Sequence, residues 1–239
     1  MRAGLLALII LLAPSAAGAQ TCPEPLASAR RLALVTANSM ETKFARLALY
    51  ERKSHGDSWR PLGKPEAVML GKHGLAWGRD FQQLARPGEP IKREGDKRTP
   101  AGIFRIGAPF GFARSKRTGY VRVKTGETFC VDDVRSPAYN TITTLVRAGR
   151  VTGERMWTYP EYRHGLFIDY PSKYPGKAGS CIFIHVWSAP GEGTAGCISM
   201  PARRVVALQD FSEAGAVIAI APQSALGRFA GCLPMPARR

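Results

Sequence analysis

Short apolar segments separated by turn residues run through most of this chain of 239 residues. The first two, at 31–36 and 44–50, alternate partly between apolar and polar positions and flank Asn38-Ser39, which is typical of a β-hairpin. Further strands are predicted at 67–70, 102–106, 120–123, 165–169, 181–186 and 216–221. Many short strands with few helices are typical of a mostly β domain, so the pattern predicts a β-sandwich or a curved mixed sheet.

Helices are predicted at two places only. One covers 202–213, because Pro201 suits a first helical turn and Gly215 follows the last apolar position. A shorter helix is predicted near 139–149. No internal repeat and no low-complexity linker divides the chain, so we expect 20–239 to form a single domain.

The first nineteen residues have the composition of a secretory signal peptide. Arg2 precedes an apolar stretch at 5–13, and the small residues Ala17-Gly18-Ala19 form a cleavage site. A membrane-spanning helix needs about 20 apolar residues, which neither this stretch nor any later one provides. We therefore expect an exported protein of the periplasm or cell wall with no membrane span.

The chain carries a large excess of positive charge. Lysine and arginine number 34 against 18 acidic residues, giving a formal net charge of +16. Such an excess favours an anionic partner, and export argues against nucleic acid, which leaves acidic polymers or an anionic surface such as the cell wall. The alternative is that the charge only keeps the surface soluble.

Five cysteines follow the predicted cleavage site: Cys22, Cys130, Cys181, Cys197 and Cys232. In an oxidising compartment two disulfides would leave one thiol unpaired. A Cys22–Cys232 bond would tie the two ends together, and a Cys130–Cys181 bond would brace the interior. Both pairings are hypotheses, because spacing does not determine connectivity; they would leave Cys197 free.

A histidine and this thiol flank one loop rich in glycine and proline. His185 ends a predicted strand, and the loop 188–196 returns the chain sharply to Cys197. A thiol with a pKa near 8.5 is mostly protonated at neutral pH and needs a base beside it to act as a nucleophile. His185 is the nearest candidate base, on a strand face that Cys181 and Phe183 would share.

The residues around the thiol also suit this chemistry. Gly196 removes a side chain where a substrate must approach, and the backbone N–H groups of Ala195 and Gly196 are candidate donors to an oxyanion. Because Pro201 opens a helix soon after Cys197, we expect the helix dipole to favour the thiolate. The alternative is that Cys197 is a small buried hydrophobic residue and His185 a structural histidine.

A metal site is less favoured by the spacing. His164, Cys181, His185 and Cys197 could supply four ligands to zinc, but they contain no CxxC or HxxxH element. His164 is either a residue of the substrate groove or an exposed or structural histidine. We expect no metal and no organic cofactor.

Three ordered segments resemble YkuD-type L,D-transpeptidases. Ile182-Phe183-Ile184-His185, the short loop and Thr194-Ala195-Gly196-Cys197-Ile198 are similar to the active-site signature of that family. Thr99-Pro100-Ala101-Gly102-Ile103-Phe104 resembles its Thr-Pro-x-Gly-x-Phe segment, and Val131 to Asn140 resembles a middle segment of some exported members. The motif-bearing core is expected at about 92–222. Ala195 and Ser199 depart from the commonest form of the signature, which is typical of a divergent subfamily.

The resemblance implies a YkuD-like β fold that acts on peptidoglycan stem peptides. Cys197 would attack the carbonyl between an L-centred diamino acid and the following D-residue, and His185 would move the proton. An amine acceptor would then form a cross-link, whereas water would make the enzyme a carboxypeptidase or amidase.

Other classes of protein remain as alternatives. One is a non-catalytic basic protein that binds peptidoglycan. NlpC/P60-like endopeptidases place the cysteine before the histidine, and sortase-like enzymes expect a downstream arginine and usually an anchor. Both therefore fit this sequence less well.

Overall fold

The computed structural model describes residues 22–170, 178–213 and 215–235. The predicted signal peptide at 1–19 lies outside the described residues. In chain order the strands are β1 (Arg31–Ala37), β2 (Phe44–Glu51), β3 (Arg60–Met69), β4 (Leu75–Trp77), β5 (Thr99–Gly111), β6 (Val121–Arg122), β7 (Thr128–Val131), β8 (Ile142–Thr144), β9 (Gly153–Arg155), β10 (His164–Asp169), β11 (Phe183–Val186), β12 (Ile198–Met200) and β13 (Val217–Pro222). The helices are α1 (Leu145–Ala148) and α2 (Ala202–Ser212), with 3-10 helices at Arg79–Leu84, Met156–Thr158, Pro160–Arg163 and Gln223–Arg228.

The larger of two sheets in the described chain is mixed and curves until its sides meet. Its order is β10, β11, β12, β3, β2, β1, β13, β5, β4, with β6 added beside β5. A further pairing of β10 with β5 joins the two sides. Parallel pairs, such as β1 with β13 and β11 with β12, lie among antiparallel ones. The prediction of a mostly β fold with a curved mixed sheet is confirmed.

The predicted hairpin and the predicted long helix are both present. β1 and β2 pair antiparallel along their whole lengths. Helix α2 packs on β10 and β11 and buries Val205, Leu208 and Gln209. The Gln209 amide donates to the main-chain oxygens of Phe110 and Gly165 at 3.0 and 2.9 Å, which ties the helix to β5 and β10. These hydrogen bonds hold β10, the strand that pairs with β11, in place.

The smaller sheet has three antiparallel strands in the order β8, β7, β9. A disulfide from Cys130 in β7 to Cys181 attaches it to the segment just before β11. Around this bond lies a second apolar cluster of buried residues: Phe110, Val123, Cys130, Met156, Tyr162, Cys181, Phe183 and Cys197. The small sheet therefore packs against the region that contains the predicted nucleophile.

Both hypothesised disulfides are present. Cys22 and Cys232 join the two ends of the described chain across 210 positions, and Cys130 and Cys181 are joined across 51. Cys197 is the free cysteine of the described residues, and it is buried.

The structure differs from the sequence predictions in some details. The helix predicted near 139–149 is limited to α1, because β8 occupies the middle of that segment. The strand predicted at 181–186 begins at Phe183, because Cys181 has a φ of 51° and lies in the left-handed region, so it does not share the strand face of Phe183 and His185. The short strands β4, β7, β8, β9 and β12 were not predicted, since three or four residues are too few to show alternation. Within the described ranges, no helix has the length and apolar character needed to cross a membrane.

Candidate active site

The pairing of β11 with β12 brings the two ends of the His–Cys segment together. These strands are parallel, with Ile184 opposite Ile198 and His185 opposite Ser199. Cys197 directly precedes β12, and the N–H of Phe183 donates to its sulfur at 3.3 Å. Phe183 and His185 lie two positions apart, so their side chains share one face about 7 Å apart along the strand. The structure therefore places the thiol beside the strand that carries the imidazole.

The Cys197 thiol is protonated and shielded in this structure. It donates a hydrogen bond to the main-chain oxygen of Cys181, with 3.4 Å between sulfur and oxygen, and only 7% of the residue is exposed. Burial raises the pKa of the thiol to about 12, and the charge of Glu154 adds to the rise. The Phe183 N–H and the charge of Lys92 act in the opposite direction. Burial outweighs these two influences, and the expected contribution of the α2 dipole stays a prediction.

Two threonine hydroxyls hold the backbone of the nucleophile. Thr99 and Thr194 donate to the main-chain oxygen of Cys197 at 3.0 and 2.7 Å. The Thr99 hydroxyl in turn accepts the N–H of Gly71 at 2.8 Å, and Thr99 is completely buried. The Thr-Pro-x-Gly segment therefore positions the backbone of Cys197 from the first residue of β5.

Gly196 is required by the local backbone. Its φ of 144° is unfavourable for other residues, and a Cβ atom there would lie 3.1 Å from the main-chain oxygen of Arg98. The Gly196 N–H donates to the Thr194 hydroxyl at 3.1 Å. The oxyanion role of Ala195 and Gly196 stays a prediction, and it requires the Gly196 N–H to leave or share this bond.

The orientation of the His185 ring leaves one nitrogen free to accept a proton. Nδ1 lies 2.8 Å from the main-chain oxygen of Val186, and because that oxygen can only accept, Nδ1 carries the proton and Nε2 is the basic atom. Burial lowers the pKa of His185, whereas the Val186 oxygen and the charge of Glu161 oppose this change. Glu161 accepts a hydrogen bond from the Ser188 hydroxyl at 2.6 Å. The imidazole is thus neutral at rest and has a carboxylate near it.

Tyr162 connects the imidazole to a second carboxylate. Its ring meets the rings of Phe183 and His185 edge-on, with centroids 5.3 and 5.4 Å away. Its hydroxyl donates to Glu154 at 2.6 Å. Burial raises the pKa of Glu154 to about 7, the charges of Asp132 and Glu94 add to the rise, and the Tyr162 hydroxyl opposes it.

The middle segment holds the loop that contacts the thiol. The Asn140 side chain accepts the Cys181 N–H and donates to the Tyr170 oxygen, both at 2.9 Å. Next to it, Glu94 accepts hydrogen bonds from Tyr139 at 2.5 Å and Ser180 at 2.7 Å. The Val131 to Asn140 resemblance therefore corresponds to residues that position the main-chain oxygen of Cys181.

The proposed zinc ligands do not form a set. Cys181 is in a disulfide, and the described residues include no group of three or more His, Cys, Asp or Glu that could hold a metal ion. His164 begins β10, one position before Gly165, which lies opposite His185. Its side chain therefore lies on the other face of the sheet from His185. Burial, together with the charges of Arg163 and Arg117, lowers the pKa of His164.

Several residues of the site were missed by sequence reasoning. Thr99 had a signal, because it lies in a segment that resembles the family, but nothing there indicated its bond to Cys197. Glu154, Glu161 and Tyr162 had no signal, since they reach the site through the small sheet and a 3-10 helix.

Comparison with known proteins agrees with the geometry. The family model YkuD, described as the L,D-transpeptidase catalytic domain, matches residues 45–220. The matched region begins well before the motif-bearing core expected from sequence and includes β5, β11, β12 and α2. No significant match was found among curated proteins or solved structures. Since the family model covers most of the chain, this protein belongs to the YkuD family of L,D-transpeptidase catalytic domains.

Proposed function

We propose that the protein is a cell-wall L,D-transpeptidase that forms an acyl-enzyme between Cys197 and a peptidoglycan stem peptide. The observation that carries this proposal is the free thiol of Cys197 beside β11, the strand that presents the basic Nε2 of His185. The predicted signal peptide supports a location in the periplasm or cell wall. The net charge of +16 supports association with other anionic components of the wall.

Acylation begins when the thiol proton moves from its bond with Cys181 to Nε2 of His185. The sulfur attacks the carbonyl carbon between the diamino acid and the terminal D-residue, and the Ala195 and Gly196 amides stabilise the oxyanion. The C–N bond breaks, and His185 returns the proton to the leaving amine. Substrate binding has to displace the Cys181 contact, because a thiol with a pKa of about 12 is not a nucleophile at neutral pH.

The second half-reaction decides the product. An amine from another stem peptide, or another amine acceptor, resolves the thioester into a cross-link. Water as the acceptor gives an L,D-carboxypeptidase or amidase. A basic peptidoglycan-binding protein without catalysis is the alternative outside enzymology, favoured only by the charge.

Mass spectrometry of purified muropeptides incubated with residues 20–239 tests this proposal. Cross-linked products that disappear with Cys197→Ala support it, and trimmed products alone would assign the water-dependent reaction. Turnover that persists in Cys197→Ala contradicts the mechanism. Wall binding by both proteins without any product would favour the non-catalytic alternative.

A further inference from the structure

The small sheet brings a carboxylate to the thiol. Glu154 in β9 lies opposite Cys130 in β7, and Cys130 is bonded to Cys181. The main-chain oxygen of Cys181 accepts the hydrogen bond of the Cys197 thiol. One strand pairing and one disulfide therefore fix Glu154 relative to the nucleophile, and its charge raises the pKa of Cys197.

Tyr162 fixes the orientation of this carboxylate. Its hydroxyl donates to one carboxylate oxygen of Glu154 at 2.6 Å. The ring is buried, with 6% exposed, and it contacts both Phe183 and His185. A carboxylate held by a packed tyrosine keeps its other oxygen for a ligand.

The charged neighbours that raise the pKa of Glu154 are acidic. The groups that act on its pKa are Tyr162, Asp132 and Glu94, and it acts in turn on Tyr159 and Cys197. No lysine or arginine of the described residues forms an ion pair with it. Burial with these neighbours raises the pKa of Glu154 to about 7, which suits a base that works at neutral pH. A positively charged ligand group would satisfy this carboxylate.

We propose that Glu154 binds the ammonium group of the incoming acyl acceptor and takes its proton before the amine attacks the Cys197 thioester. The inference rests on the proposed function and concerns only its second half-reaction. The site would then prefer primary amines to water, because an ammonium group carries a positive charge that pairs with the Glu154 carboxylate and water does not.

Transfer to the amine exchanges a C–S bond for a C–N bond and removes two protons from the nitrogen. The ammonium nitrogen gives one proton to the Glu154 carboxylate, and the free amine attacks the thioester carbon. The C–N bond forms, the nitrogen gives its second proton to Nε2 of His185, and the C–S bond breaks. His185 returns that proton to the Cys197 sulfur, and Glu154 releases its own to solvent.

Glu154→Gln separates the two half-reactions. The amide keeps an oxygen for the Tyr162 hydroxyl but takes up no proton. Acylation is followed by intact-protein mass with a stem tetrapeptide, and transfer is followed after adding a stem tripeptide whose diamino acid offers a free amine. We expect acylation at the normal rate or faster, because the charge that raises the pKa of Cys197 is gone, and transfer about 100-fold slower at pH 7.

The matched control is Glu127→Gln, which removes an exposed carboxylate paired with Lys124 in the turn before β7. It should leave both half-reactions unchanged. The defect of Glu154→Gln should shrink toward pH 10, where the acceptor amine, with a pKa of about 10, loses its proton to solvent.

The outcomes are distinguishable. Normal transfer in Glu154→Gln at pH 7, or a defect of equal size at pH 7 and 10, overturns the assignment. A parallel loss of acylation and transfer also overturns it, since the residue would then act on the fold or the thiol. If the unmodified protein forms no acyl-enzyme, the proposed function itself fails, whatever Glu154 does.

Discussion

The Cys197 thiol donates its hydrogen bond to the main-chain oxygen of Cys181, 3.4 Å away, and not to the imidazole of His185. The proposed nucleophile is therefore protonated and held by a loop that the Cys130–Cys181 disulfide attaches to the small sheet. The proposed mechanism requires the thiol to exchange this partner for His185.

The Cys197 thiol should react slowly with iodoacetamide at neutral pH. Because the pKa of Cys197 is raised to about 12, alkylation should be slow at pH 7 and should accelerate about tenfold per pH unit up to pH 10 without a plateau. Mass spectrometry of timed, quenched samples measures the rate, and Cys197→Ser confirms the labelled position. A plateau near pH 8 would indicate an ordinary exposed thiol.

Thr99→Val should weaken the hydrogen bonding that holds the backbone of Cys197. The substitution keeps the shape but removes the hydroxyl that joins the Gly71 N–H to the Cys197 oxygen, leaving a buried N–H without its partner. We expect the free energy of unfolding to fall by about 1–3 kcal/mol and acylation to slow. Thr99→Ser keeps the hydroxyl and should behave like the unmodified protein in urea unfolding and acylation. Equal effects of the two substitutions would exclude this role.

Glu154 should make stability depend on pH. Its pKa is raised from 4.5 to about 7 in the folded protein, so the folded state favours the protonated form. The stability that this proton contributes is complete below pH 4.5 and is lost as the pH rises to about 7. Glu154→Gln should therefore raise the free energy of unfolding by up to about 3 kcal/mol at pH 8 and leave it unchanged at pH 4.

Urea unfolding at the two pH values measures this difference, with Glu127→Gln as the control. A substitution effect of the same size at both pH values would show that folding does not raise the pKa of Glu154.

The charge of Glu161 should raise the pKa of His185, the proposed base. Its charge raises the pKa of His185 against the effect of burial, so Glu161→Gln should lower that pKa further. The acid limb of the pH profile for acylation should then move to lower pH, and the maximal rate should fall several-fold because the imidazolium loses its nearby carboxylate. Ser188→Ala removes the hydrogen bond to Glu161 but keeps the charge, and it should leave the limb in place. Coincident profiles for Glu161→Gln and the unmodified protein would rule out this interaction.

The two disulfides should differ in their effects on stability and on acylation. Replacing Cys22 and Cys232 by serine releases a closure of 210 positions and should cost about 5 kcal/mol of stability, with acylation unchanged at temperatures where the protein stays folded. Replacing Cys130 and Cys181 by alanine removes the bond between the small sheet and the loop that contains Cys181. The main-chain oxygen of residue 181, which accepts the hydrogen bond of the Cys197 thiol, is then held less firmly. Acylation should therefore change in the folded protein. Thermal unfolding and acylation assays on both pairs separate the effects, and equal acylation would contradict the positional role.

Local patterns account for the parts of the fold that sequence predicted. The β1–β2 hairpin has alternation and a turn within one segment, and α2 has a proline at its start and a glycine after its end. The two disulfide hypotheses are confirmed by the structure, although connectivity does not follow from spacing. The order of His185 and Cys197 around a Gly/Pro loop likewise indicated one site, and the parallel pairing of β11 with β12 brings them together.

The chemistry of the site depended on contacts between distant segments. Glu154 lies in a strand of three residues, and its pairing with β7 places it opposite Cys130, which is bonded to the loop that contacts the thiol. The high pKa of Cys197 comes from burial against the small sheet, whereas the sequence around it suggested activation. The left-handed backbone of Cys181 also has no local signal, because it is held by Asn140 and Cys130.

The proposed mechanism places the acyl group on Cys197. Intact-protein mass spectrometry of residues 20–239, quenched with acid after incubation with a stem tetrapeptide, detects this intermediate. We expect an added mass equal to the donor without its terminal D-residue, located on the peptide that contains Cys197 and absent in Cys197→Ala. The same adduct on Cys197→Ala, or product formation with no adduct on Cys197, would contradict it.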